Sequence, residues 1–197
     1  MSYDSKKHHR RSMRLQGYDY AAAGAYVVTL VAHERAHVFG EVVDDVMVLN
    51  EMGRVAEGCW AAIPHHFAHV ELDACIVMPN HVHGIVVLLN EGSRAAAEGI
   101  DGLSLGRSIA APLPMPATNP SNARRINVGA GSLGAVVRSY KAAVTRQVNG
   151  LRGEAGGPLW QRNYHDRIIR DERELTLFRK YIEDNPMQWA LDRENKP

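Results

Sequence analysis

The sequence predicts an α+β fold, a ferredoxin-like antiparallel sheet with helices on one face. Runs rich in β-branched residues indicate strands, and segments with apolar residues three and four apart indicate helices. Their order along the chain is β, hairpin, α, β, β, α, β, α. Strands interspersed with helices, with two strands adjacent in sequence, favour an antiparallel sheet covered by helices. A length of 197 residues suits a single domain spanning 1–197.

The first half of the chain predicts a strand, a hairpin and a helix. The strand is the β-branched run AYVVTLVA at 25–32. Asp44 and Asp45 then separate two short apolar runs, which predicts a hairpin. Asn50 is placed to cap the helix that follows, and Pro64 is placed to end it.

Two adjacent strands and a long insertion follow. HVELDACIVM (69–78) alternates as a strand does, and HVHGIVVLL (81–89) is its expected partner across a turn at Pro79 and Asn80. The composition then changes to Gly, Ala, Ser and Pro, which predicts a flexible insertion at about 90–131.

The strongest helical pattern comes after the insertion, at 132–150, where Gly150 is the expected stop. Its apolar stripe is Val136, Val137, Tyr140, Val144 and Val148. PLWQRNYHDRIIRD predicts a short strand, and Asp171 is placed to cap a final helix. The buried face of that helix is expected at Leu175, Phe178 and Ile182.

Composition and charge exclude several protein classes. The formal net charge is +1, but KKHHRRSMR at 6–14 concentrates positive charge near the N-terminus, as a solvated tail or a phosphate-contacting arm would. Two distant cysteines, Cys59 and Cys75, indicate no disulfide framework. No apolar stretch is long enough to cross a membrane and no signal peptide is evident, so a cytoplasmic protein is expected.

His81 and His83 are the first candidate site residues. Side chains at i and i+2 of a strand share a face, with Cα atoms roughly 6.5–7 Å apart. Two imidazoles so placed can bind one cation, while Val82 points to the core. A histidine pair on a merely polar sheet face is the competing interpretation. Burial favours a site, because buried imidazoles need partners.

HERAH (33–37) matches the H-E-x-x-H pattern of zinc proteases. That chemistry needs a helix, and here a strand precedes the motif while Gly40 and another β-like run follow it. A coincidental match is therefore expected. His65, His66 and His69 form another cluster, which is interpreted as a surface loop.

Tyr140 is the second candidate site residue, either as a core aromatic or as a nucleophile. A phenol has a pKa of about 10, so it attacks phosphorus when nearby cations favour the phenolate or when a metal polarises the phosphate. Arg138 and Lys141 flank it, and Arg146 follows.

Four blocks in this order resemble the single-tyrosine HUH transposases, particularly the REP-associated tyrosine transposase branch. They are RRSMRLQGYDYAAAGAYVVTL, VELDACIVMPNHVHGIVVL, SLGAVVRSYKAAVTRQVN and LWQRNYHDRIIRDERELTLFRKYIEDNPMQW, which together cover most of the chain.

The resemblance implies a ferredoxin-like sheet that carries a divalent metal, Mg²⁺ or Mn²⁺. It implies metal-dependent cleavage and rejoining of single-stranded or hairpin DNA through a 5′-phosphotyrosine, by a monomer or a homodimer. Carried over by residue, His81 and His83 are metal ligands and Tyr140 is the nucleophile.

The sequence departs from the family pattern one turn beyond the tyrosine. Val144 stands where the better-known members have a polar metal ligand, and Gln147 is the expected substitute. Tyr164 is the second candidate nucleophile, with His165 or Asp166 as a further ligand. A non-catalytic hairpin-DNA-binding descendant of the same fold is the alternative function.

Basic residues are expected to line a DNA groove. Contacts of this kind bind phosphates in a salt-dependent manner and read no sequence. The candidates are Arg10, Arg11, Arg14, Arg138, Lys141, Arg162 and Arg167.

Overall fold

The computed structural model describes residues 18–90, 131–153, 157–191 and 195. The basic block at 6–14, with Arg10, Arg11 and Arg14, lies outside the described residues, and so does nearly all of the predicted insertion.

Six strands and four α-helices make up the described fold. The strands are β1 (Gly24–Val31), β2 (Gly40–Val43), β3 (Val46–Leu49), β4 (Val70–Val77), β5 (His81–Leu88) and β6 (His165–Ile169). The α-helices are α1 (Glu51–Ala61), α2 (Ile63–His66), α3 (Leu133–Arg152) and α4 (Glu172–Glu183). Two 3₁₀ segments are His33–Arg35 and Pro186–Leu191.

The main sheet has four strands in the order β4-β5-β1-β6, and β2 pairs with β3 in a separate hairpin. Every neighbouring pair of the main sheet is antiparallel. The first and third strands of this sheet in chain order are its inner strands, which is the ferredoxin-like arrangement. The predicted α+β class and antiparallel sheet are confirmed.

Helices cover both faces of the sheet, so the expectation of helices on one face needs correction. The even-numbered residues of β1, such as Tyr26 and Val28, join the main core cluster with α1 and α3. The odd-numbered Ala25 and Val27 join a second cluster that includes Leu175 of α4. The second face is buried because Ala25 and Val27 of β1 and Ile85 of β5 pack there against α4.

The predicted helix starts are confirmed by their caps. The side chains of Asn50, Ser132 and Asp171 accept hydrogen bonds from backbone N–H groups three residues on, at 2.9, 3.3 and 2.8 Å. Each cap satisfies a backbone donor that has no partner inside the helix.

Two predicted helix ends differ from the structure. Pro64 does not end α1, which stops at Ala61. Pro64 lies in the first turn of α2, where the backbone N–H that proline lacks would have no partner inside the helix. Gly150 stays inside α3, and Gly153 takes the left-handed C-cap at φ 66°. No helix among the described residues is both long and apolar enough to cross a membrane.

Gly84 lets α1 approach the sheet. It pairs with Val28 on one side and Cys75 on the other, on the face that carries the main core. A Cβ at this position would overlap the Trp60 indole. The glycine of the HVHG run therefore serves the packing of the face opposite the histidines.

We predict that Gly84→Ala lowers the free energy of unfolding by about 1–3 kcal/mol, since an added methyl group overpacks the Trp60 contact. Urea denaturation measures the change. Gly58→Ala is the matched control, because nothing lies within 4 Å of its added Cβ and alanine favours a helix interior. Equal stability of Gly84→Ala and the wild type would contradict the packing argument.

Candidate active site

The two histidines of β5 lie buried side by side on the face covered by α4. His81 is fully buried and His83 is 3% exposed, with 4.4 Å between their ring centroids. Val82 points the other way, into the main core. The structure thus brings the predicted pair together on one face.

Asn80 fixes the tautomer of His81. Its Oδ1 lies 2.9 Å from His81 Nδ1, and its Nδ2 donates to the Arg35 carbonyl at 3.1 Å. The second bond orients the amide, so Oδ1 is the acceptor and Nδ1 of His81 carries the proton. Nε2 then carries the lone pair, as a metal-ligating histidine requires.

Burial keeps His81 neutral. Desolvation lowers the pKa of its imidazole from 6.5 to about 4, and the Asn185 side chain opposes the shift. A neutral ring can act as a ligand or an acceptor throughout the physiological pH range.

The HERAH segment supports the histidine pair as a tight turn. Its residues form a 3₁₀ turn in which Glu34 and Arg35 have φ values of 53° and 56°. The Pro79 carbonyl accepts from the N–H groups of Val38 and Phe39 at 2.8 and 2.9 Å, which ties this segment to the Pro79-Asn80 turn. The helix that a zinc protease motif needs is absent here, as the sequence indicates.

His83 is held between two hydroxyl groups. Thr29 Oγ1, on the neighbouring strand, lies 2.9 Å from Nδ1, and the Tyr181 hydroxyl of α4 lies 3.4 Å from Nε2. The Tyr181 ring meets His83 edge-on, with 5.2 Å between the centroids.

Aromatic side chains border the pair. The Trp189 ring lies near His81, at 5.9 Å between centroids, and near the exposed His37, at 5.4 Å. The sequence patterns do not predict four residues of this site, namely Thr29, Asn80, Tyr181 and Trp189. Three of them were visible beside recognised features: Asn80 precedes the pair, and Tyr181 and Trp189 lie in the C-terminal block.

Tyr140 lies on the opposite face of the sheet. Its side chain is 2% exposed in the main core cluster, and its hydroxyl donates to the Ala56 carbonyl at 3.1 Å. Trp60 packs edge-on against it at 5.3 Å between centroids. Burial raises the pKa of its phenol well above the ordinary value, so the phenolate is disfavoured. The structure does not bring Tyr140 and the histidines together.

The substitute ligand Gln147 lies on the same helix as Tyr140, away from the pair. Its Nε2 donates to Cys59 Sγ at 3.2 Å, and Val144 is fully buried in the main core. Gln147 therefore does not complete a site with the histidines in this arrangement.

The other candidates near β6 divide between the two faces. His165 pairs with Thr29 and is exposed on the histidine face, one strand removed from His83. Asp166 pairs with Val28 and points to the other face. Tyr164 packs against the main core cluster.

The basic candidates among the described residues have different environments. Arg138 and Arg162 are exposed. Arg167 bonds to Glu174 at 2.9 Å. Lys141 donates to the carbonyls of Gln161 and Asn163 at 2.6 and 3.3 Å.

Burial lowers the pKa of Lys141 to about 8. Lys141 is partly buried, and its two hydrogen bonds to carbonyls hold the segment before β6 in place.

The histidine pair would supply two nitrogen ligands to a divalent cation. Within residues 18–90, 131–153, 157–191 and 195, no group of three His, Cys, Asp or Glu side chains could hold a metal. A cation there would take its remaining ligands from water or a bound phosphate. Such a donor set suits Mn²⁺ better than Mg²⁺, which prefers oxygen ligands.

We predict that acid destabilises the protein partly through His81. The unfolded chain binds this proton near pH 6.5 and the folded chain near pH 4, so protonation favours unfolding as the pH falls through this window. The loss attributable to His81 should reach about 3 kcal/mol, at about 1.4 kcal/mol per pKa unit.

Chemical denaturation at pH 7 and pH 4.5 tests this expectation in the wild type and in His81→Gln. The variant should lose less stability on acidification. His66→Gln, at an exposed histidine, is the control and should behave as the wild type. An equal loss in all three proteins would contradict the buried neutral state of His81.

Comparison with solved structures gives two chains of low similarity to this one. One is the REP-associated tyrosine transposase bound to a REP hairpin, at 14% identity and a TM-score of 0.48, covering 94% of this chain and 76% of that chain. The other is a candidate transposase from Deinococcus radiodurans R1, at 18% identity and a TM-score of 0.38, covering 88% of this chain and 97% of that chain.

Comparison of sequences gives a family relationship. No protein-family model matches the chain. An uncharacterized protein of Haemophilus influenzae strain Rd is 33% identical over 190 residues, which cover 96% of this chain and 95% of the relative. The chain belongs to the same protein family as this Haemophilus influenzae protein.

Proposed function

We propose that the protein is a metal-dependent endonuclease and strand transferase of single-stranded DNA, acting as a transposase on hairpin-flanked substrates. The observation that carries the proposal is the buried pair of His81 and His83 on one strand face, with His81 held neutral. The four ordered sequence blocks add the substrate class and the phosphotyrosine intermediate to this proposal.

The histidines would hold the cation, and their neighbours would keep them in the ligating state. Asn80 leaves the lone pair on His81 Nε2, and Thr29 restrains the His83 ring. A divalent cation bound there would polarise the scissile phosphate and stabilise the charge that develops on it. The exposed Arg138 and Arg162 would bind backbone phosphates.

A tyrosine oxygen must reach the phosphate for the covalent step. Tyr140, the nucleophile expected from the sequence, is separated from the pair by the sheet and bonded to Ala56. Tyr140 can act only if α3 leaves the core, or if a second copy of the chain supplies it after the same rearrangement.

We predict a covalent protein–DNA adduct with a hairpin-flanking single-stranded oligonucleotide and Mn²⁺. The adduct should survive denaturing electrophoresis and disappear with EDTA. His81→Ala and His83→Ala should each reduce its yield by at least about 100-fold, since each removes one of two ligands. His66→Ala is the matched surface control. Undiminished adduct in either ligand variant would contradict the metal site.

Metal binding itself gives a readout separate from cleavage. Titration of the purified protein with Mn²⁺, followed by electron paramagnetic resonance, should show one bound ion that both histidine-to-alanine variants weaken by about 10- to 100-fold. Unchanged Mn²⁺ affinity in both variants would place the ion elsewhere.

The alternative function is hairpin-DNA binding without cleavage. The burial of Tyr140 and the distance of Gln147 from the pair favour it, because the sequence-predicted nucleophile and third ligand are not assembled in this arrangement. Fluorescence anisotropy with a labelled hairpin separates the two functions. Salt-dependent binding with no adduct under Mg²⁺, Mn²⁺ or Zn²⁺ would establish the alternative.

A further inference from the structure

The hydroxyl of Tyr181 is the phenolic oxygen that the structure places at the histidine pair. It lies 3.4 Å from His83 Nε2, and its ring is 5.2 Å from the His83 ring between centroids. Tyr181 as a residue is 41% exposed, so it lies at the solvent edge of the pair.

Two sets of contacts fix α4, which carries Tyr181, on this face of the sheet. Leu175 and Ile182 are buried in the second core cluster. Arg179 donates two hydrogen bonds to the Asp73 carboxylate of β4, at 2.8 and 2.6 Å. The helix is therefore anchored by apolar burial and by a bidentate ion pair close to Tyr181.

The remaining tyrosines of the described chain belong to the other side of the sheet. All five of these described tyrosines lie in the main core cluster or pack against it, namely Tyr18, Tyr20, Tyr26, Tyr140 and Tyr164. Tyr26 and Tyr140 are buried and donate to backbone carbonyls. The sheet separates this cluster from the histidines.

We propose that Tyr181 is the nucleophile of the DNA-nicking reaction, and this inference rests on the proposed function. The Tyr181 oxygen forms a bond to phosphorus, and the bond from phosphorus to the 3′ oxygen breaks. The phenolic proton leaves to solvent, and the departing 3′ oxygen takes a proton from solvent. The products are a 5′-phosphotyrosine and a free 3′-OH, and rejoining reverses the same steps.

The position of Tyr181 agrees with the requirements of such a step. A nucleophile must lie near the group that binds the phosphate, because correct orientation lowers the barrier before any bond changes. The contact with His83 supplies that proximity within one chain, without movement of α3. It also explains how Tyr140 can serve as a core residue.

The test is adduct formation with the full-length protein, Mn²⁺ and a hairpin-flanking oligonucleotide. Tyr181→Phe should lower the adduct yield by more than about 1,000-fold, as loss of a nucleophile does. Hairpin affinity, measured by fluorescence anisotropy, should change less than about twofold. Tyr18→Phe is the matched control, since it removes a hydroxyl from the opposite face and should leave the adduct unchanged.

Mass spectrometry of the digested wild-type adduct identifies the modified tyrosine directly. A nucleotide on the peptide that contains Tyr181 supports the inference. Adduct on another tyrosine, or full adduct yield in Tyr181→Phe, overturns the assignment and leaves the nicking function standing. Hairpin binding by the wild type without any adduct overturns the nicking function itself, and the Tyr181 assignment with it.

Discussion

The alternation of β5 is the constraint on which the rest of the structure depends. This strand is paired on both edges, with β1 and with β4, so its backbone cannot rotate. Consecutive side chains must point to opposite faces. Val82 and Val86 consequently enter the main core, while His81 and His83 face α4. A slip of one residue would exchange the two sets and bury the imidazoles in the apolar cluster.

The same constraint separates the two halves of the predicted site. Helix α3 packs on one side of the sheet and α4 packs on the other, so residues of α3 meet the face that Val82 occupies. Apolar periodicity correctly predicted the buried stripe of α3, in which Tyr140 shares one face with Val136 and Val144. That periodicity already favoured the interpretation of Tyr140 as a core residue, and the burial of its side chain agrees.

Sequence patterns predicted local structure well and spatial neighbours less well. Asn50 and Asp171 were recognised as helix caps because a cap depends on residues three positions apart. The pairing of the two histidines followed from strand geometry alone. The contact between Tyr181 and His83 joins positions 98 residues apart, and no local pattern carries that information. The side of the sheet taken by each helix is likewise a property of tertiary packing.

The hydrogen bond from Asn80 to the Arg35 carbonyl makes the chemistry of His81 depend on a turn that is distant in sequence. The proton on His81 is positioned by an amide that a carbonyl 45 residues away holds in place. If the 33–37 turn changed shape, the amide could rotate and present its NH₂ group to the ring instead. The proton would then move to Nε2, and the histidine would become a donor where it had been an acceptor. A substitution in an exposed turn can thus alter the chemistry of a buried ring without touching it.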